Sequence, residues 1–105
     1  MSIYLSGKLT SGGDYKKNCE VFNKAEELIK AINPTVQVFN PAKEIPKSWD
    51  RKHAMRKCLS RLIGGGGQMS RIRKLVLLPG WEDSQGARIE YEVAKQLDIE
   101  IESLT

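Results

Sequence analysis

The chain has little of what builds metal sites, disulfides or membrane spans. Its 105 residues include one histidine and two cysteines, and Cys19 and Cys58 lie among apolar neighbours, far apart from each other. This predicts buried free thiols, with no metal, no other cofactor and no disulfide. No apolar run approaches the roughly 20 residues of a membrane span, and the N-terminus lacks a basic region followed by a long apolar stretch. We therefore expect a soluble, cytoplasmic protein.

Length and composition indicate one domain. A chain of 105 residues with 40% hydrophobic content can bury a modest core. Residues 1–105 are therefore interpreted as a single unit.

Positive charge is concentrated in one part of the sequence. Residues 43–74 contain ten basic and two acidic side chains, a net charge of +8, whereas the remainder carries −4. Such a block favours an anionic partner, either a phosphate-bearing small molecule or a nucleic acid. A solvated helix face is the alternative explanation.

Strand-like and helix-like apolar patterns alternate along the chain. Strands are predicted over residues 3–5, 36–39, 74–78 and 100–103, and helices over residues 14–33, 49–63 and 84–97. Residues 40–48 are predicted to be irregular. The alternation predicts an α/β protein with a parallel sheet of about four or five strands covered by helices on both faces. This is a small three-layer, Rossmann- or flavodoxin-like fold.

Four consecutive glycines, residues 64–67, follow the second predicted helix. They are costly to order, so we interpret them as a mobile turn. A phosphate-binding loop is the more specific alternative. However, a P-loop needs Lys-Ser or Lys-Thr after the glycines, and a dinucleotide fold needs spaced glycines directly after a strand. Neither pattern is present.

An acidic side chain is predicted on the inner face of the last helix. Glu90, Ala94 and Leu97 stand at i, i+4 and i+7, with Gly86 one turn earlier. A carboxylate packed on a sheet needs a partner or takes up a proton. Either Glu90 belongs to a pocket at the carboxyl ends of the strands, or its stem lies along apolar surface with its head in water or on a nearby arginine.

The start of the same helix predicts an anion site. The backbone N–H groups of residues 84–87 would have no acceptors within the helix, and the helix dipole adds to their attraction for an anion. Ser84 can donate a hydrogen bond, and Gly86 permits close approach to the backbone. An ordinary helix cap and close packing explain the same two residues.

Two motifs suggest a family. They are Ile3-Tyr4-Leu5-Ser6-Gly7 near the N-terminus and Ser84-x-Gly86-x-x-x-Glu90 in the last helix. The chain resembles the nucleoside 2-deoxyribosyltransferase and 2′-deoxynucleoside 5′-monophosphate N-glycosidase superfamily over nearly its whole length. It is closer still to small, mostly phage-encoded members.

The resemblance implies a function and a site. Glu90 would be the nucleophile on a deoxynucleoside or its 5′-monophosphate, and Tyr4 would lie near the sugar. Apart from the resemblance, Asp83 or Glu82 could serve as an acid. Ser84 would help to hold the 5′-phosphate. Further substrate contacts are expected from Ser6, Gly7, Trp81, Gly86, Ala87 and Arg56. Such proteins usually assemble as homodimers or larger oligomers.

Two positions depart from the pattern that the resemblance implies. Lys74 and Cys58 stand where relatives usually have acidic residues. An alternative is therefore a nucleotide-binding protein that has lost the chemistry and sequesters or senses its ligand. A third reading is a nucleic-acid-binding module that uses the basic block. No recognition helix or sheet of stacking aromatics supports it, so we do not expect a nucleic-acid partner.

Overall fold

The computed structural model describes residues 2–9, 14–64 and 71–104, which fold into four parallel strands and the helices between them. The strands are β1 (Ser2–Ser6), β2 (Gln37–Phe39), β3 (Ile72–Leu77) and β4 (Glu100–Ser103). The helices are α1 (Tyr15–Ile32), α2 (Pro41–Glu44), α3 (Arg51–Ile63) and α4 (Gln85–Gln96), with a 3₁₀ turn at Trp81–Asp83. The strand order is β2-β1-β3-β4, and every neighbouring pair is parallel.

Helices cover both faces of the sheet, as the alternating pattern predicts. On one face, Phe22 and Ala25 of α1 pack with apolar side chains of β1 and β3. On the other face, Cys58 and Leu62 of α3 and Ala94 of α4 pack with the opposite side chains of the same strands. The α/β three-layer prediction is confirmed, with four strands.

Three elements differ from the sequence prediction by two residues or more at one end or were not predicted, whereas the ends of β1 and β2 differ by at most one residue. The segment predicted to be irregular contains α2, because the Asn40 side chain caps it and Pro41 occupies its first turn. Helix α3 begins at Arg51 because Asp50 accepts a 2.7 Å hydrogen bond from the His53 N–H group. Strand β3 begins two residues earlier than predicted, at Ile72. The ends of α1 and α4 agree with the prediction to within one residue.

The structure describes one of the four consecutive glycines and both cysteine thiols. Gly64 ends α3 with a φ of 104°, a left-handed conformation suited to glycine, whereas residues 65–67 lie outside the described part. Cys58 is buried, as expected, but Cys19 is only half-buried. Leu97, predicted to face inward, is 47% exposed because α4 ends before it.

The described residues contain neither a membrane-spanning helix nor a candidate metal site. None of their helices is long and apolar enough to cross a membrane. Within the same ranges, no three His, Cys, Asp or Glu side chains cluster in a way that could hold a metal ion.

A buried polar cluster joins α1 to the end of β2. The Asn40 amide donates to Glu26 over 2.9 Å and to Asn23 over 3.0 Å. Lys30 and Lys43 approach the Glu26 carboxylate to 2.8 and 3.1 Å. Burial alone would raise the pKa of Glu26, but the hydrogen bonds from these partners lower it to about 2. The cluster therefore keeps Glu26 ionised and fixes α2 against α1.

Replacement of Asn40 by alanine should lower the free energy of unfolding by about 2–3 kcal/mol. The variant loses the α2 cap and leaves a buried carboxylate with fewer donors. Urea denaturation near neutral pH measures the loss. Gln96→Ala, at an exposed position of α4, is the control and should change stability by less than about 0.5 kcal/mol. An equal effect of the two substitutions would contradict this account of the cluster.

Candidate functional site

A cavity of about 320 Å³ opens at the carboxyl ends of β1 and β3. The chain leaves β1 for β2 on one side and has β3 on the other, so this is the topological switch point of the sheet, where α/β proteins bind ligands. The lining residues from the described part of the chain are Gly7, Leu9, Phe22, Pro41, Ile45, Arg51, Ala54, Met55, Cys58, Ser84, Gln85, Gly86, Ala87 and Glu90.

Glu90 lies in the wall of this cavity and is fixed through both carboxylate oxygens. The Tyr4 hydroxyl donates to Oε2 and the Ser6 hydroxyl donates to Oε1, each over 2.6 Å. The side chain is only 6% exposed. Burial raises the pKa of Glu90, and the hydrogen bonds from Ser6 and Tyr4 partly oppose it, leaving a pKa of about 7. The carboxyl group can therefore change its charge near neutral pH.

Tyr4 is a rigid and neutral donor. Its side chain is fully buried, and its ring stacks on Phe39 with centroids 5.0 Å apart and the planes 17° from parallel. Burial, followed by the nearby Glu90 carboxylate, raises the pKa of the Tyr4 hydroxyl well above its usual value. The hydroxyl therefore keeps its proton and can only stabilise the carboxylate, not replace it as a base.

The start of α4 forms the polar side of the cavity. Ser84 caps the helix, and its hydroxyl accepts a 3.2 Å hydrogen bond from the Ala87 N–H group. A Cβ atom on Gly86 would lie 2.9 Å from the Met55 methyl carbon, so the two residues pack closely. Since N–H groups at a helix start lack acceptors within the helix, this end of the cavity suits an anionic or strongly polar group.

Most of the residues predicted for the site are brought together. Five of them line the cavity: Gly7, Ser84, Gly86, Ala87 and Glu90. Tyr4 and Ser6 contact Glu90 directly.

Besides Tyr4 and Ser6, three predicted site residues are not among the described lining residues. Arg56 is exposed because it lies one position beyond the face of α3 that carries Met55. Trp81 instead packs against Tyr91, with ring centroids 5.0 Å apart. Asp83 is exposed in the 3₁₀ turn, so the structure does not place it where it could act as an acid in the cavity.

Several lining residues were not predicted for the site. On α3, Arg51, Met55 and Cys58 share one helix face, and the predicted inward positions Met55 and Cys58 could have indicated Arg51 by their spacing. Phe22 from α1 and Pro41 and Ile45 from the α2 region come from remote parts of the chain. No local pattern marks them as site residues.

The two positions that depart from the resemblance occupy different environments. Lys74 lies within the interior strand β3 and pairs with Glu100 at 3.1 Å and Glu102 at 2.9 Å on the edge strand β4. Cys58 does line the cavity. Burial and then the Glu90 carboxylate raise the pKa of the Cys58 thiol to about 12, so it remains neutral.

The fold and the cavity together define a small α/β protein with a cavity at the switch point of a parallel sheet. A family model described as a domain of unknown function, DUF4406, matches residues 1–103. The chain therefore belongs to the DUF4406 family. No curated protein and no solved structure matches the chain.

Proposed function

We propose that this protein breaks the N-glycosidic bond of a deoxynucleoside or deoxynucleoside 5′-monophosphate, with Glu90 as the nucleophile. The observation that carries the proposal is the Glu90 carboxylate itself. It is buried, oriented by two hydroxyl groups at 2.6 Å, and forms part of the wall of a ligand-sized cavity. Its position beneath the start of α4 agrees with the motif resemblance.

The first proposed step forms a covalent intermediate. A Glu90 carboxylate oxygen attacks C1′ of the deoxyribose through an oxocarbenium-like transition state. The C1′–O bond forms as the C1′–N bond breaks, and the bonding pair leaves with the base. Tyr4 and Ser6 hold the carboxylate in place during the attack, which reduces the entropy cost of reaching the reactive geometry.

The second proposed step regenerates the carboxylate. Water attacks C1′, the bond between C1′ and Glu90 breaks, and its electron pair returns to the carboxylate. The proton from water passes to the departed base, so the balance is one nucleoside and one water giving free base and sugar. If another base attacks in place of water, the outcome is transfer of the deoxyribosyl group.

The distribution of charge in the cavity suits a phosphorylated substrate. Arg51 and Glu90 are the charged side chains among its described lining residues. An anion at Arg51 and the start of α4 would be attracted, whereas one beside the Glu90 carboxylate would be repelled. A 5′-phosphate at the Ser84 end would leave the sugar to face Glu90.

A second candidate function is nucleotide binding without chemistry. The lack of a second carboxyl group favours this function, because Glu90 is the one carboxyl residue among the described lining residues. Glycoside hydrolysis ordinarily uses a pair of carboxyl groups, and general acid–base assistance contributes about 10²–10⁴-fold in rate. The neutral Cys58 thiol is too weak an acid to supply that assistance.

Product release separates the two functions. The wild-type protein is incubated with a panel of deoxynucleosides and their 5′-monophosphates, and released base is quantified by liquid chromatography. Acid-quenched samples are digested and the peptide containing Glu90 is weighed by mass spectrometry. We expect free base from at least one substrate and a deoxyribosyl adduct on Glu90.

Asp83→Asn is the matched control, because Asp83 is an exposed acid in the loop before α4. It should release base as the wild type does. Thermal stabilisation by one nucleotide, without base release from any, would replace the enzymatic proposal by the binding function. An adduct on another residue would refute the role of Glu90.

A further inference from the structure

The basic block of the sequence is not uniformly available on the surface. Lys43 pairs with Glu26, and Lys74 pairs with Glu100 and Glu102. Arg61 is buried. These charges are therefore either paired with carboxylates or withdrawn from solvent. The net charge of the segment overstates the positive charge that a partner would meet.

Three of the seven remaining basic residues lie together on the outer face of α3. We define the α3 basic face as the exposed side chains Lys52, His53, Arg56 and Lys57. Helix α3 contains no acidic residue, and none of the carboxylates in residues 2–9, 14–64 and 71–104 forms an ion pair with Lys52, Arg56 or Lys57. Three cations within two helical turns repel one another, so a bound polyanion would relieve that repulsion.

An aromatic pair lies on the same face. The rings of Trp49 and His53 stack with centroids 3.9 Å apart and planes 4° from parallel. Trp49 is half-buried against the core, and the Lys57 ammonium lies 5.8 Å from its ring centroid. Since His53 is exposed, the side of its ring that faces away from Trp49 is open to a flat partner.

The sequence did not predict a nucleic-acid partner, but the structure brings an aromatic pair beside the cations, and we propose that the α3 basic face binds single-stranded nucleic acid. Phosphates would contact Lys52, Arg56 and Lys57, and one base would stack on His53. This combination of cations along a backbone path with an aromatic platform is the usual means of holding single strands. The proposal does not rest on the glycosidic chemistry.

Other polyanions fit this face less well. A duplex offers phosphates but no open base for the His53 ring. An anionic membrane would require large apolar side chains among the cations, whereas Trp49 is half-buried and the exposed Ile63 lies at the end of the helix, beyond the last of them. Arg51, at the start of the same helix, lines the cavity and continues the positive charge to its mouth.

Fluorescence anisotropy with a labelled oligothymidylate, titrated at several salt concentrations, tests the proposal. The triple variant Lys52→Gln, Arg56→Gln, Lys57→Gln should bind at least about tenfold more weakly at low salt. Its slope of log affinity against log salt should be shallower by about 2, since three phosphate contacts are removed. His53→Ala should lose several-fold in affinity with an unchanged salt slope, because a stacking contact releases no counterions.

The matched control removes the same charge elsewhere. Lys16→Gln, Lys17→Gln, Lys24→Gln changes three exposed lysines of α1 and should retain wild-type binding. Thermal unfolding checks that every variant is folded. Equal losses in the two triple variants would overturn the proposal, because they would show an effect of net charge alone. It would also be overturned by no strand binding at low salt, by tighter binding of the matching duplex, or by binding only to phosphatidylserine vesicles.

Discussion

Glutamine in place of Glu90 should abolish base release and make the protein more stable than the wild type at about pH 8. The loss of turnover should be at least about 10³-fold, since glutamine cannot act as the nucleophile. The gain in stability has a separate cause, which is the cost of burying an ionised carboxylate among apolar side chains. Function and stability should therefore change in opposite directions at one residue.

The direction of the stability change follows from the raised pKa of Glu90. The pKa is about 7 in the folded protein and 4.5 for an ordinary glutamate, so between these values the folded state binds more protons. The free energy of unfolding therefore falls as pH rises from about 4.5 to 7. At 1.36 kcal/mol per pKa unit, the whole decline is about 3 kcal/mol. A neutral glutamine removes this decline and can still hydrogen-bond both hydroxyl groups.

Urea denaturation at about pH 5 and pH 8 measures this difference. The two proteins should be similar at pH 5, and the variant should be more stable by about 2–3 kcal/mol at pH 8. Glu92→Gln, an exposed position of the same helix, is the control and should show no gain at pH 8. A variant that is less stable than wild type at pH 8 would mean that the carboxylate is better compensated than the two hydroxyl groups indicate.

Local patterns predicted the fold because the long helices have a clear apolar period and short apolar runs mark most of the strands. The 18 residues of α1 repeat their apolar positions along one face, and α4 places Glu90 and Ala94 inward at i and i+4. The prediction of helix boundaries was wrong where a single capping side chain, and not the apolar pattern, sets the start of a helix. Asn40 starts a short helix in a segment that has no apolar period, and Asp50 sets the start of α3.

The candidate site was predictable only where one local segment builds it. The 84–90 segment places a cap, a close backbone approach and a carboxylate on one helix, and all of them reach the cavity. The opposite wall comes from α1, α2 and α3, whose contribution depends on how the helices pack. Similarly, the sequence gives a net charge for residues 43–74, but only the structure shows that Lys43 and Lys74 are already paired.

The hydroxyl donors at Glu90 partly offset the cost of its burial. A carboxylate without donors would take up a proton at neutral pH and could not attack carbon. The hydrogen bonds from Ser6 and Tyr4 lower the pKa of Glu90 against the larger effect of burial. These two side chains therefore decide the pH at which the nucleophile becomes available, even though they do not line the cavity themselves.

Removal of either hydroxyl group should move the activity profile toward alkaline pH. In Ser6→Ala and in Tyr4→Phe, Glu90 loses one hydrogen bond, and a bond to a charged group is worth about 1.5–3 kcal/mol. The pKa of Glu90 should therefore rise by about 1–2 units. We expect kcat/KM for base release to fall about 5- to 50-fold at pH 7 and to recover most of the loss near pH 9. The pH dependence of kcat/KM reports the pKa of the free enzyme directly.

A buried serine on the same strand provides the control. Ser2 is also fully buried in β1, but its hydroxyl donates to Gln37 over 3.0 Å, away from Glu90. Ser2→Ala makes the same deletion and should leave the midpoint of the profile unchanged. If Ser6→Ala lowered activity equally at every pH, its hydroxyl would merely position Glu90. A shifted midpoint with restored alkaline activity instead means that the hydroxyl groups of β1 set the pH at which Glu90 becomes charged. Packing alone cannot produce this effect.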